Sequence, residues 1–288
     1  MKFKISVLCL LFTCVIAAVS LAQNLDGSPY IAGKDPNIGM YLCHWKESMP
    51  RHTHGSLIER DILTKGNAMN PPAKGAVLEY VNSFTRAALD AHASTTPTTL
   101  KGEQEIFYFL SGKGTIKAGN KTADLYKGIC ILMPANLEFT MTNTGNEPLT
   151  MYLVNEPIPV GFRPNKDMLV KDENILPIQS TSGHWCHIVK NFFETDAGLG
   201  TLERVLTVTF DPMTIGHPHS HGAGCEEVWT QVNDSSIAFI GKQICTQQHG
   251  AGYMIPPDGK TPHSNINTSD KQVTMFYFAR YKDHEVRK

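Results

Sequence analysis

The chain carries one pattern twice. Moving residues 105–134 forward by 122 positions lays Glu105 on Glu227, Phe107 on Trp229, Gly128 on Gly250 and Pro134 on Pro256. A slip of two near the last turn then sets Met151-Tyr152-Leu153 on Met275-Phe276-Tyr277. A duplicated unit folds as two similar bodies, so the nature of one unit decides the whole. In the first unit short apolar runs occupy 77–81, 105–110, 128–134 and 149–154, and the second series begins at 202–210. Turn residues such as Gly112-Lys113-Gly114 separate them, at the spacing of roughly eight to twelve residues typical of sandwiches and barrels. Apolar residues at helical spacing are scarce. The expected fold is all-β, with two barrels in tandem at 76–160 and 191–288. A connector over 161–190 holds Pro164 and Pro177, and an arm over 23–75 precedes the first barrel. In the arm, His52-Thr53-His54 and Glu59 repeat an imidazole–carboxylate spacing without a downstream histidine partner, and the segment reads as packing on a barrel.

The N-terminus has the form of an export signal. Lys2 and Lys4 precede an uncharged run over 5–22 that ends in Ser20-Leu21-Ala22, so cleavage is expected to leave a chain starting near Gln23. That places the protein in the periplasm or outside the cell, not integral to a membrane. A net charge of -1 without a basic run argues against nucleic acid as a partner. After cleavage five cysteines remain, an odd number with no C-x-x-C pair, which fits neither a disulfide framework nor a structural zinc site.

Chemistry concentrates at His217-Pro218-His219-Ser220-His221, followed by a small-residue loop and Glu226-Glu227 at the head of an apolar run. Alternate residues of a strand share a face, so these histidines can point together and the loop can return a carboxylate beside them. Imidazole with carboxylate is a ligand set for a first-row transition metal. Three histidines compete for two positions and two glutamates for one, while His263 supplies a further imidazole downstream. On the strand that carries Glu227, Trp229 and Gln231 share its face; Trp229 can wall a pocket, and Gln231 needs a polar partner inside.

The motifs resemble those of the cupin superfamily, specifically two-domain bicupins. His219, His221 and a glutamate match the family's first motif, although its final glycine is replaced near Asn233-Asp234. Pro257, Gly259, His263 and Asn267 match the second, with one extra residue before the histidine. The resemblance implies jelly-roll barrels and His219, His221, Glu227 and His263 as ligands, with Glu227 preferred to Glu226 because it aligns with Glu105. In the first unit Glu105, Gly112, Gly128, Pro134 and Asn143 fit, but the histidine positions fall among 98–101 and at Phe139. A metal is therefore expected only in the second barrel: one divalent ion, manganese, iron or zinc. The expected function is an enzyme acting on a small oxygen-rich metabolite, a sugar acid, keto-acid or enol, by Lewis-acid lyase, isomerase or hydrolase chemistry. The alternatives are a dioxygenase using iron or copper and a non-catalytic binding or storage-like bicupin. Glu226, His217 and Gln231 are the candidate catalytic groups, and Trp229, Tyr253 and Arg204 the candidate substrate contacts. The resemblance also implies association into homo-oligomers.

Overall fold

The computed structural model describes residues 28–179 and 184–280, and the leader expected at 1–22 lies outside them. Among the described residues, each unit is a pair of sheets. The large sheet of the first has eight strands, seven of them in the order Leu169–Asp172, Ile129–Met133, Glu103–Ser111, Leu149–Pro157, Ser83–Leu89, Leu57–Lys65 and Arg51–Thr53. The eighth, Ala76–Leu78, pairs in parallel with Leu57–Lys65. Facing them are Thr98–Thr99, Glu138–Asn143, Gly114–Ala118 and Lys121–Leu125. The second unit has a six-stranded sheet, Leu42–His44, Ala251–Met254, Glu226–Gln231, Val273–Arg280, Arg204–Phe210 and Ile188–Glu194. Opposite it lie Thr214–Ile215, His263–Asn267, Ser235–Ile240 and Gln243–Gln248. No helix among the described residues is long and apolar enough to cross a membrane.

The segments expected as arm and connector are built into the barrels. Leu57–Lys65 is a strand of the first barrel, and Ile188–Glu194 takes the corresponding place in the second. Leu42–His44 pairs with Ala251–Met254 of the second barrel, and Leu169–Asp172 pairs with Ile129–Met133 of the first. Each barrel thus takes an edge strand from the segment leading into the other, which covers backbone that an open edge would expose.

The two large sheets pack on each other, so their strands are buried on both faces and read as unbroken apolar runs. Phe107 and Phe109 point into the first barrel with Ile116, Phe139 and Met151, whereas Ile106 and Tyr108 point into the layer between the barrels. Likewise Trp229 lies inside the second barrel with Val208, Tyr253 and Tyr277, and Val228 faces the shared layer. At its centre Tyr108 stacks on Phe276, ring centroids 5.0 Å apart and planes 11° from parallel. Two buried carboxylates fasten the layer's margin. Glu226 accepts from the backbone N–H groups of Glu79 at 2.5 Å and Tyr80 at 3.0 Å, and Glu156 accepts from those of Thr201 and Leu202, both at 2.5 Å.

One hydrogen-bond pattern is repeated almost atom for atom. Asn143 donates through its amide nitrogen to the carbonyls of Leu89, Asp90 and Glu147 and accepts from the N–H of Gly145. Asn267 donates to the carbonyls of Phe210, Asp211 and Lys271 and accepts from the N–H of Ser269. Gly128 and Gly250 hold the same left-handed turn, at φ of 92° and 86°.

Candidate metal centre

The strand Glu226–Gln231 carries adjacent acids, and alternation sends them to opposite faces. Glu227 points into the second barrel. Glu226 points out of it, to the backbone of Glu79 and Tyr80, so the catalytic role expected for Glu226 gives way to an anchoring one between barrels. Burial pushes the Glu226 carboxyl up to about 7, against the N–H groups that favour its ionised form. Gln231 shares the inner face but lies farther along, where it donates to the Asn233 carbonyl at 2.7 Å and accepts from the Ser236 hydroxyl at 2.8 Å. The partner it needs is the protein itself, not a substrate. Tyr253 is likewise spent within the core, donating to Asn265 at 3.2 Å.

His219 and His263 face each other across a backbone bridge, with N–H to carbonyl distances of 3.2 Å and 2.8 Å. His221 lies two residues on and contacts the carboxylate of Glu227, while His263 Nε2 stands 3.0 Å from Glu227 Oε1. One donor atom from each of His219, His221, Glu227 and His263 falls within 4.8 Å of the others. His219 Nδ1 lies 2.7 Å from the His217 carbonyl, which can only accept, so Nδ1 holds the proton and Nε2 the lone pair. Trp229 donates its indole N–H to Glu227 Oε1 at 2.5 Å and fixes the carboxylate.

The protonation states of His219 and Glu227 suit a cation. Burial, with help from His263, pushes His219 down to about 3, so its ring is neutral. Burial works against ionised Glu227, yet His221 and His263 hold its carboxyl well below the usual range. Burial would lower His221, but the Glu227 carboxylate raises it. A neutral His219 beside an ionised Glu227 presents two donors in the form a divalent transition ion takes, and an ion would take the place of the proton that Glu227 favours on His221, so this set fits such an ion.

The cluster opens on a small cavity of about 50 Å³ bordered by His219, His221 and Glu227. Val189, Leu206, Val208, Trp229 and Tyr277 give it apolar walls, and Arg204 stands at its exposed rim. His217 stays outside the four-residue set, parallel to His219 with centroids 5.5 Å apart and 4.0 Å from the ring of Trp185.

Residues 86–155, in the first barrel, match the family model for the cupin domain. Protein Ylba from E. coli is similar in structure, at a TM-score of 0.65 and 14% identity over 88% of this chain and 96% of its own. So are AerE from Microcystis aeruginosa, at 0.63 and 13% over 84% and 100%, and an oxalate decarboxylase from Bacillus subtilis, at 0.63 and 11% over 87% and 79%. Residues 86–155 are thus a cupin domain, and the chain as a whole shares the fold of these solved structures. No curated protein sequence matches it.

The first barrel treats the same position differently. Thr98 pairs with Phe139 where His219 faces His263. Into the gap comes His54, held at a left-handed φ of 46°. Its Nε2 is 3.2 Å from Glu105 Oε1 and its Nδ1 is 3.3 Å from the Thr98 hydroxyl. The fold also places His184 and His187 at the mouth of the second barrel, and neither stood out in the sequence. Burial and the neighbouring His184 push His187 down to about 4. The clue was the density of His184-Trp185-Cys186-His187, obscured by the prolines of a segment that reads as a connector.

Proposed function

We propose that the second barrel holds one divalent transition ion, manganese, iron or zinc, through His219, His221, Glu227 and His263. In this reading the protein is an exported enzyme acting on a small, oxygen-rich, carboxylate-bearing metabolite by lyase, isomerase or hydrolase chemistry. The observation that carries it is the convergence of four donor atoms within 4.8 Å at the base of a cavity. Bound there, such an ion supplies Lewis acidity toward a carbonyl or hydroxyl oxygen.

The chain's own groups supply the rest. Arg204, exposed at the rim, offers a guanidinium to a substrate carboxylate. Val189, Leu206 and Val208 exclude water and receive the substrate's carbon skeleton. Trp229 is a positioning residue that keeps Glu227 facing the histidines. His187 is neutral at ordinary pH and borders the same cavity, so its ring can hydrogen-bond a substrate hydroxyl and orient it.

The test is metal analysis of protein expressed with manganese, iron and zinc supplied, followed by a binding screen of sugar acids, keto-acids and enols. One ion per chain, and a carboxylate ligand whose affinity falls in Arg204→Ala, support the reading. Iron together with oxygen consumption would instead indicate a dioxygenase. Protein that takes up none of the three metals would indicate a non-catalytic binding module.

A further inference from the structure

We propose that His184, His217 and His219 form a second, separate metal station at the mouth of the second barrel, where an ion is held before it moves inward. The proposal rests on the metal reading above only through His219, which both sets share. His184 and His217 lie outside the four-residue set, yet one nitrogen from each falls within 4.8 Å of the other and of a nitrogen of His219. Nitrogens bound to one ion at about 2.0–2.1 Å stand about 2.8–3.4 Å apart, from octahedral to tetrahedral angles. His184 Nε2 and His219 Nε2 are 3.2 Å apart, inside that range. The His217 carbonyl takes the Nδ1 proton of His219, so the lone pair of His219 is on Nε2, the atom that His184 meets. As the two rings stand, that lone pair accepts the Nε2 proton of His184; the other tautomer of His184 frees both nitrogens for an ion. Nδ1 of His217 is buried and has no hydrogen-bond partner among the described residues, a cost that coordination there would remove. The Trp185 ring, 4.0 Å away between centroids, backs the His217 imidazole.

One lone pair binds one ion, so the two sets cannot both be filled through His219. They differ in charge. The inner set includes the carboxylate of Glu227, whereas the outer one consists of three imidazoles alone, a donor set that suits zinc, copper or nickel. A divalent ion is therefore held more weakly outside and is drawn inward. The placement fits that route. His184 and His219 border the cavity and Trp185 beside them is 55% exposed, while His263 of the inner set is 1% exposed. The duplication shows that the outer histidine has a fixed place in the fold. In the first barrel Glu59 pairs with Ala87, in the second Val189 pairs with Val208, and both first strands shift register two to four residues later, at Asp61/Leu63 and Asn191/Phe193. That register sets His184 on His54, whose Nδ1 is 3.3 Å from the hydroxyl of Thr98, the counterpart of His219. Both barrels aim this histidine at the same position, and only in the second does it meet an imidazole there.

Cobalt(II) in the full chain is the probe. Glu227→Gln/His263→Ala keeps the outer station and removes half of the inner donors. It is expected to bind one cobalt per chain, less tightly than the wild type, with the visible bands of imidazole-bound cobalt. Adding His184→Ala or His217→Ala should weaken that binding about tenfold or more, since even residues that only support a metal ligand act on that scale. Matching thermal unfolding controls for folding. In the otherwise wild-type chain, His184→Ala/His217→Ala should still reach one ion but load more slowly in stopped-flow mixing, a comparison that needs no inner-site variant to fold. Four results would overturn the proposal and leave the four-residue reading intact: no cobalt on Glu227→Gln/His263→Ala, binding there that ignores His184 and His217, two ions on the wild type, or loading of His184→Ala/His217→Ala at the wild-type rate. Loss of all equilibrium uptake in His184→Ala/His217→Ala would instead overturn the four-residue reading, with the outer station as the holder of the ion. A wild type that takes up no cobalt, zinc, manganese or iron would overturn both.

Discussion

The two barrels share a skeleton and differ in what fills one point inside it. Both keep the asparagine that ties three carbonyls, the left-handed glycine turn and the inward carboxylate, Glu105 in one and Glu227 in the other. Around Glu227 stand His219, His221 and His263; around Glu105 stand Thr98, Phe139 and His54. A buried carboxylate is costly unless something compensates it. The second barrel surrounds its acid with imidazoles in the arrangement an ion needs. The first pairs its acid with one imidazole and closes the space with Phe139. The scaffold and the chemistry are separable, and the scaffold accounts for more of the repeat.

The largest expected effect breaks the comparison at the ligands. His219→Ala combined with His263→Ala should abolish metal uptake measured by elemental analysis, because two of four donors are gone. His54→Ala should leave it at one ion per chain. Equal loss in both proteins would mean that the first barrel also takes part in metal binding. Next come the two asparagines, where the barrels should behave alike. Asn143→Ala and Asn267→Ala each leave three backbone carbonyls without their donor, and each is expected to destabilise the chain by about 2–4 kcal/mol in urea denaturation. Only Asn267→Ala, four residues from His263 on the same strand, should also weaken metal binding. A chelator gives a slightly smaller effect. An ion at 100 times its dissociation constant stabilises by about 2.7 kcal/mol, so its removal should lower the melting temperature, and His219→Ala/His263→Ala should be insensitive to it.

Much of this was legible in the sequence. Strand spacing and the 122-residue repeat indicated two similar β units, and the alignment of Glu227 with Glu105 favoured the acid that faces inward, although Glu226 stayed a catalytic candidate. What escaped was the first strand of each barrel. Between the first long strand and the next, the first barrel has the segment 66–82 and the second only 195–203, so the offset changes from 122 to 130 before the histidines are reached. His54 and His184 therefore looked unrelated. Gln231 and Tyr253 were overread because an interior polar group suggests a ligand, whereas Ser236, Asn233 and Asn265 satisfy them. Sequence shows that a polar group faces inward, not which partner three-dimensional packing will bring to it.

The smallest expected effect concerns the ion pair that occupies the first barrel's site. Burial opposes a charged His54, but Glu105, with Glu59 and Glu103 behind it, raises the ring above its ordinary 6.5. Burial also raises Glu105 above 4.5, and His54 only moderates the rise. A group raised on folding binds protons more tightly in the native chain, so its stabilisation is complete below the unfolded value and fades as pH climbs through the folded one. Both members therefore make the wild-type chain less stable as pH rises, His54 from about 6.5 upward. Glu105→Gln removes the main cause of the rise in His54, and burial should then hold the ring below 6.5. The sign reverses: stability contributed by this site should fall as pH drops through 6.5. Urea denaturation at pH 5.5 and 8 should show the difference between variant and wild type changing by about 1 kcal/mol between the two conditions. A difference that does not change with pH would mean that His54 and Glu105 meet as neutral groups, and that the first barrel replaced its imidazole cluster with a plain hydrogen bond.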